Sequence, residues 1–159
     1  MLNIRTKLLA SDRPPIIELI NATGVFNLEE LAIAIELVDD RLANLEKSHY
    51  RFLVAEKAGE IIGYACWGII PGTAFSADLY WIAIHPKWQN CGVGKVLLAA
   101  TEAWIQREGR LRIYIETSSR LDYTPTRYFY QRCGYNLVAE LPDYYAPGDG
   151  KIIFLKVLQ

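Results

Sequence analysis

The sequence predicts an α/β fold in a single domain, and three observations carry that expectation. Hydrophobic residues make up 52% of the 159 positions and charged ones 22%, a globular composition, and a chain of this size buries about 69% of its unfolded surface in one core. Runs with the two-residue alternation of strands interleave with stripes at helical spacing along the whole length. No internal repeat, and no linker long enough to divide the chain, interrupts that pattern.

Leu2, Ile4, Thr6 and Leu8 alternate as a first strand, and Asp12 before Pro14 and Pro15 opens a short helix through Ile20. Asn27 with Glu30 forms a capping box, flanked by the staple pair Phe26 and Leu31. Leu28, Leu31, Ile35, Val38, Leu42 and Leu45 then mark an apolar stripe, read as core packing before a partner-binding face. Tyr50–Glu56 and Glu60–Ile69 form a hairpin around Lys57, Ala58 and Gly59, and Pro71 with Gly72 breaks the chain. Ala77–Ile84 is a strand, followed by a loop with Pro86 and a helix from Val93 to about Gly109. Leu111–Thr117 alternates as a strand; Thr124 as N-cap with Pro125 opens a helix that Gly134 closes. Strands at Tyr135–Ala139 and Lys151–Val157 follow, separated by an expected loop over Leu141–Gly150.

Charge removes several functions. Lys and Arg total 17 against 18 for Asp and Glu, which leaves no positive field for a nucleic-acid backbone. No apolar run reaches the roughly 18 residues of a membrane span, and Arg5 with Lys7 interrupts the start where a signal peptide would be apolar, so a cytoplasmic protein without membrane partners is expected. Cys66, Cys91, Cys133, His49 and His85 lack the paired spacing of a zinc site, and no metal is expected.

The most informative segment is Gln89, Asn90, Cys91, Gly92, Val93, Gly94 and Lys95, between a strand and a helix. Successive N–H groups at a helix start can cradle an anion, although two glycines can also serve a tight turn alone. A Walker A loop would need Gly at position 89 and Ser or Thr at 96, where Gln89 and Val96 stand; a Rossmann fingerprint would need Gly in place of Leu97.

Gln89, Gly92 and Gly94 match the cofactor motif of the GCN5-related N-acetyltransferases, and the chain resembles that family on both sides of the motif. Tyr80–Pro86 is similar to its fourth strand, and Phe129, Tyr130, Gly134 and Tyr135 to its downstream aromatic signature. The resemblance runs from about Phe52 to Val157; residues 1–49 agree in order and length, as an acceptor-side segment before an acetyl-coenzyme A-binding core at 50–159. It implies a mixed central sheet of about six or seven strands flanked by about four helices. It also implies acetyl-coenzyme A as co-substrate, its pyrophosphate on the amides of Gln89–Lys95 and its pantetheine arm beside Ile82, Ala83 and Ile84. A strand N–H near Ile82 would polarise the thioester carbonyl, and Tyr130 would serve the departing thiolate, unless it is an ordinary packing aromatic. Tyr123 stands where many members carry a cofactor-contacting Asn, and that contact does not transfer.

An acceptor amine must lose a proton before attack, and two carboxylates resemble family bases: Glu116, as in some protein N-terminal acetylating members, and Asp78, at the histone-type position. A salt bridge from Glu116 to Arg112 or Arg120, and a solvated strand start for Asp78, are their structural alternatives. Cys91 sits at a helix start, yet the family transfers acetyl directly, so it reads as a passive loop residue. Trp67, Trp81, Tyr144 and Tyr145 with Asp143 and Asp149 could rim a site for a cationic acceptor, or pack in the core and a dimer surface. The expected activity is acetyl transfer to a primary amine of a small molecule or peptide in a ternary complex; the alternative is a non-catalytic coenzyme A sensor or interaction module. The acceptor's identity is not encoded in a readable motif, and a homodimer is plausible.

Overall fold

A computed structural model describes residues 1–159, with seven strands and four helices: β1 Leu2–Arg5, α1 Arg13–Thr23, α2 Leu28–Asn44, β2 Arg51–Lys57, β3 Glu60–Ile69, β4 Ser76–Ile84, α3 Val93–Arg107, β5 Arg112–Ser118, α4 Thr124–Arg132, β6 Asn136–Ala146 and β7 Asp149–Val157. The strands form one sheet in the order β1-β2-β3-β4-β5-β7-β6, mixed because β4 and β5 run parallel while the other described ladders are antiparallel. The chain groups into two compact units, residues 1–68 with 80–104 and residues 69–79 with 105–159. Residues 1–49 thus share a unit with β2 and β3.

In the first unit the pleat sorts side chains by parity. Phe52 and Val54 of β2 and Tyr64 and Cys66 of β3 are buried against Ile16, Leu19 and Ile20 of α1 and Ala34, Leu37 and Val38 of α2. Each of the Val, Leu, Ile and Phe side chains among them contributes roughly 1.5–3 kcal/mol of burial. On the opposite parity Trp67 meets Trp104 of α3 edge to face at 5.4 Å and lies under the Arg51 guanidinium. The α2 capping box forms as expected: Asn27 Oδ1 accepts from Glu30 N at 2.8 Å and Glu30 Oε1 from Asn27 N at 3.0 Å. Phe26 and Leu31 both pack on this core. Ala58 and Gly59, both at positive φ, make the two-residue β2–β3 turn, the geometry that matches strand twist.

The first strand stops at Arg5, short of the expected Leu8. The cause is electrostatic: the Arg5 guanidinium grips both oxygens of Asp12 at 2.6 and 2.7 Å and Glu56 at 2.9 Å. The buried Asp12 carboxylate also accepts from Leu9 N at 2.7 Å, which turns the chain toward α1. Gly68 permits another close approach, since a Cβ there would lie 2.7 Å from His49 Nε2 and 2.9 Å from Tyr80 Cε2, two side chains hydrogen-bonded at 2.7 Å.

In the second unit Ser76–Asp78 of β4 pair with Arg112–Tyr114 of β5, and β5 pairs with β7 from Arg112↔Val157 to Ser118↔Lys151. The expected loop over Leu141–Gly150 is instead mostly strand: β6 continues to Ala146 and β7 starts at Asp149. Register shifts at Leu137/Ala139 and Leu141/Ala146 absorb Pro142 and the positive φ of Asp143, and Asp143 accepts from Gly148 N at 2.8 Å across the turn. Thr124 is the first residue of α4 rather than its cap, which is Tyr123 without a side-chain bond. Gly134 follows α4 at φ 90° as a left-handed terminator.

Asp12→Ala leaves the part-buried Arg5 without its bidentate partner and Leu9 N without an acceptor. It should lower the unfolding free energy by about 2–3 kcal/mol, read from urea denaturation midpoints.

Candidate functional site

Two groups of predicted residues lie in the two units. In the first, β4 ends at Ile84, with Ala83 buried and Ile82 and Ile84 half-buried, and the chain turns through Pro86–Trp88 with Trp88 N bonded to His85 O at 2.8 Å. Gln89 reaches back to donate from Nε2 to Ile84 O at 3.0 Å, and Cys91 Sγ lies 3.4 Å from Gln89 O. Asn90 and Gly92, at φ 60° and 82°, fold the segment into the first turn of α3. There Val96 N bonds Gly92 O at 3.2 Å. The N–H groups of Val93, Gly94 and Lys95 precede that bond and have no carbonyl one turn back, so they stand at the positive end of the helix dipole. A Cβ at Gly92 would meet nothing within 4 Å. The arrangement suits a phosphate-bearing ligand.

Trp81 packs half-buried on Phe26 at 4.8 Å between centroids, and its buried Nε1 has no partner. Trp67 is fully buried, so of its two readings the core one holds and it lines no rim, as its edge-to-face seat on Trp104 dictates.

In the second unit Glu116, on β5, projects to the face where Lys151 of β7 lies diagonally across the ladder. Lys151 Nζ is 2.9 Å from Glu116 Oε2 and 4.2 Å from the centroid of the Tyr144 ring, which meets Tyr145 edge to face at 5.0 Å. The salt bridge is thus made to Lys151, not to Arg112 or Arg120. Burial pulls the Lys151 ammonium down, but hydrogen bonds to Glu116 and Tyr144 and the Glu116 charge outweigh it, so its pKa is raised. Burial also raises the Tyr145 phenol, against the opposing charge of Lys151. Beside Glu116, the buried Thr117 Oγ1 has no partner.

The other two members of the expected acidic rim are engaged elsewhere. Asp149 accepts from Ser118 Oγ and from Arg120 Nη1 at 3.0 Å, and Asp143 holds the turn, so of these three carboxylates it is Glu116 that pairs with Lys151. Asp78 is half-buried on β4 opposite Tyr114. Tyr130 is buried among Phe129, Tyr135 and Phe154, with centroids at 5.7, 6.1 and 5.9 Å. Desolvation, then the neighbouring Cys133, pushes its phenol well above the ordinary range, so it stays a neutral hydrogen-bond donor at physiological pH. Tyr123 is buried under the Arg120 guanidinium.

Lys151 escaped the sequence reading. Its signal is an opposite charge two residues from the cross-strand partner of Glu116, Ile153, visible only once the register is known. A separate cavity of about 340 Å³ between α4 and the β6–β7 pair, lined in part by Arg127, Tyr128 and Glu140, contains none of the predicted residues. No three His, Cys, Asp or Glu side chains are grouped to hold a metal ion.

Residues 48–137 match the family model of the acetyltransferase (GNAT) domain. The ribosomal protein bS18-alanine N-acetyltransferase of Haemophilus influenzae is 27% identical over 135 residues, 84% of this chain and 88% of that one. An N-alpha-acetyltransferase of Sulfurisphaera tokodaii is 28% identical over 116 residues, 67% and 68% of the two chains. A crystal structure from Desulfovibrio desulfuricans, assigned to the GNAT family, superposes with a TM-score of 0.96 at 36% identity over the whole of both chains. The PaiA N-acetyltransferase of Thermoplasma acidophilum, solved in complex with coenzyme A, has the same fold at a TM-score of 0.74, 21% identity and 99% coverage of both chains.

Cys91 is exposed in the loop while Cys66 is fully buried, its thiol pushed up by desolvation. Iodoacetamide should therefore label Cys91 first and Cys66 only on unfolding, and pyrophosphate should slow the Cys91 reaction by crowding the adjacent amides. Peptide mass spectrometry against time reads both effects.

Proposed function

The chain belongs to the GNAT acetyltransferase family, and on that premise we propose that residues 1–159 act as one N-acetyltransferase domain that moves acetyl from acetyl-coenzyme A to a primary amine of a small molecule or peptide. The observation that carries the proposal is the α3 start, with three N–H groups lacking an intrahelical partner above an open glycine. Coenzyme A carries the pyrophosphate that such a cradle fits, and the PaiA structure is a coenzyme A complex on the same fold. The cytoplasm, where acetyl-coenzyme A is made and used, is the proposed location.

Each residue has a role in this reading. The amides of Gln89 to Lys95 neutralise the pyrophosphate, and Ile82, Ala83 and Ile84 run beside the pantetheine arm. Bound there, acetyl-coenzyme A supplies an activated thioester. The Ile82 N–H donates to the carbonyl oxygen as negative charge gathers on it. The amine nitrogen bonds to the carbonyl carbon, the carbon–sulfur bond breaks, and the electron pair leaves on sulfur. Tyr130 donates a hydrogen bond to that sulfur. Its raised pKa makes the phenol hold its proton more tightly than a thiol does, so it stabilises the thiolate without surrendering the proton. Glu116 takes the proton that the acceptor ammonium loses before its nitrogen attacks, with Asp78 as the second candidate base. The second proton, shed as the amide forms, passes to the thiolate. Trp81, Tyr144 and Tyr145 contact the acceptor.

Two substitutions test the assignments. Gly94→Asp puts a carboxylate in the first turn, where it favours the helix yet repels the pyrophosphate. Acetyl-coenzyme A affinity should fall at least tenfold by calorimetry with no loss in Tm; unchanged affinity would remove the loop from the site. Tyr130→Phe should lower kcat about 100-fold while KM for acetyl-coenzyme A stays within about twofold, measured by thiol release across an amine panel.

A further inference from the structure

The Glu116–Lys151 pair constrains the acceptor. An arriving ammonium must take the Glu116 carboxylate, and that carboxylate is held by Lys151 at 2.9 Å. The Lys151 side chain is only 12% exposed, so water replaces the lost partner poorly. Asp149 and Asp143, the acidic residues nearest to it in sequence, are not available to it. Asp149 is committed to Ser118 and Arg120, and Asp143 to Gly148 N. Once Glu116 turns to the acceptor, Lys151 keeps only Tyr144, through its ring face at 4.2 Å and a hydrogen bond, and no anion. A simple cation, such as a polyamine, would break one ion pair to make another and leave a half-desolvated ammonium uncompensated.

Resting on the transferase reading above, we infer that the acceptor carries a carboxylate a few bonds from its reacting amine, so that its ammonium pairs with Glu116 while its carboxylate pairs with Lys151. A free amino acid, or a peptide with an acidic residue at its start, has that chemistry. The exchange conserves the number of ion pairs, and the Tyr144 and Tyr145 rings border it on one side. Lys151 is then the specificity-determining residue of the acceptor site. The transfer balances: the ammonium gives one proton to Glu116, its nitrogen bonds to the carbonyl carbon as the carbon–sulfur bond breaks, and the second proton, shed as the amide forms, passes to the departing thiolate.

The test is thiol release from acetyl-coenzyme A with matched acceptors: free α-amino acids against their α-carboxamides, and dipeptide amides with Glu against Gln in first position. The native enzyme should favour the anionic member of each pair at least tenfold in kcat/KM. Lys151→Met should level that ratio by raising KM for the anionic member alone, with acetyl-coenzyme A affinity unchanged, and Lys151→Arg should keep the preference. Equal use of acids and amides by the native enzyme, or an unaltered ratio in Lys151→Met, would overturn the inference and leave the transferase reading standing. Silence with both sets, while acetyl-coenzyme A binds, would overturn the transferase reading and this inference together.

Discussion

The first turn of α3 leaves its leading amides without intrahelical partners, and the residues before it fix the loop in that form. A helix start in a protein is usually satisfied by a Ser, Thr, Asn or Asp cap, as Asn27 does for α2. At α3 the cap position is Gly92, which has no side chain to offer. The segment before it is anchored instead by Gln89, whose side-chain amide is spent on the Ile84 carbonyl. The loop is thereby tied to the end of β4 while its amides remain open. Asn90 and Gly92 provide the left-handed turns that a chain without glycine or asparagine would adopt only at a cost.

How much of this was legible depended on whether a feature is local. The α2 capping box, the Ala58–Gly59 turn, the Gly134 terminator and the turn between β4 and α3 at Gln89–Gly92 are each fixed by residues within a few positions of one another, and each is present in the structure. The β6–β7 hairpin was not legible, because Pro142, Asp143, Gly148 and Gly150 are loop-forming residues and the strands absorb them by shifting register. With the hairpin hidden, Lys151 could not be placed beside Glu116, and the salt bridge was assigned to nearer arginines. Trp67 failed as a rim residue for a related reason: its depth is set by Trp104, 37 positions away.

The same burial that defines the core also sets the chemistry of its polar members. Tyr130 and Tyr64 both lose water, and both phenols are pushed upward. Tyr64 sits inside the α1/α2 core with its hydroxyl unpartnered, whereas Tyr130 is packed by rings of α4 and β7 in the second unit. Desolvation alone therefore does not assign a role to either tyrosine; the role proposed for Tyr130 rests on its position in the family signature.

The two outer strands of the sheet differ in how they discourage addition of a foreign strand. β1 is only four residues long, too short to template a stable ladder. β6 is long and exposes Leu137, Val138 and Leu141, yet it is bent at two register shifts and carries a proline with no N–H to give. Irregularities that made β6 unreadable as a strand are those that deny a growing fibril its flat docking edge. Straightening it, by replacing Pro142 and removing the shifts, would make the strand legible in the sequence and the chain prone to stack on itself.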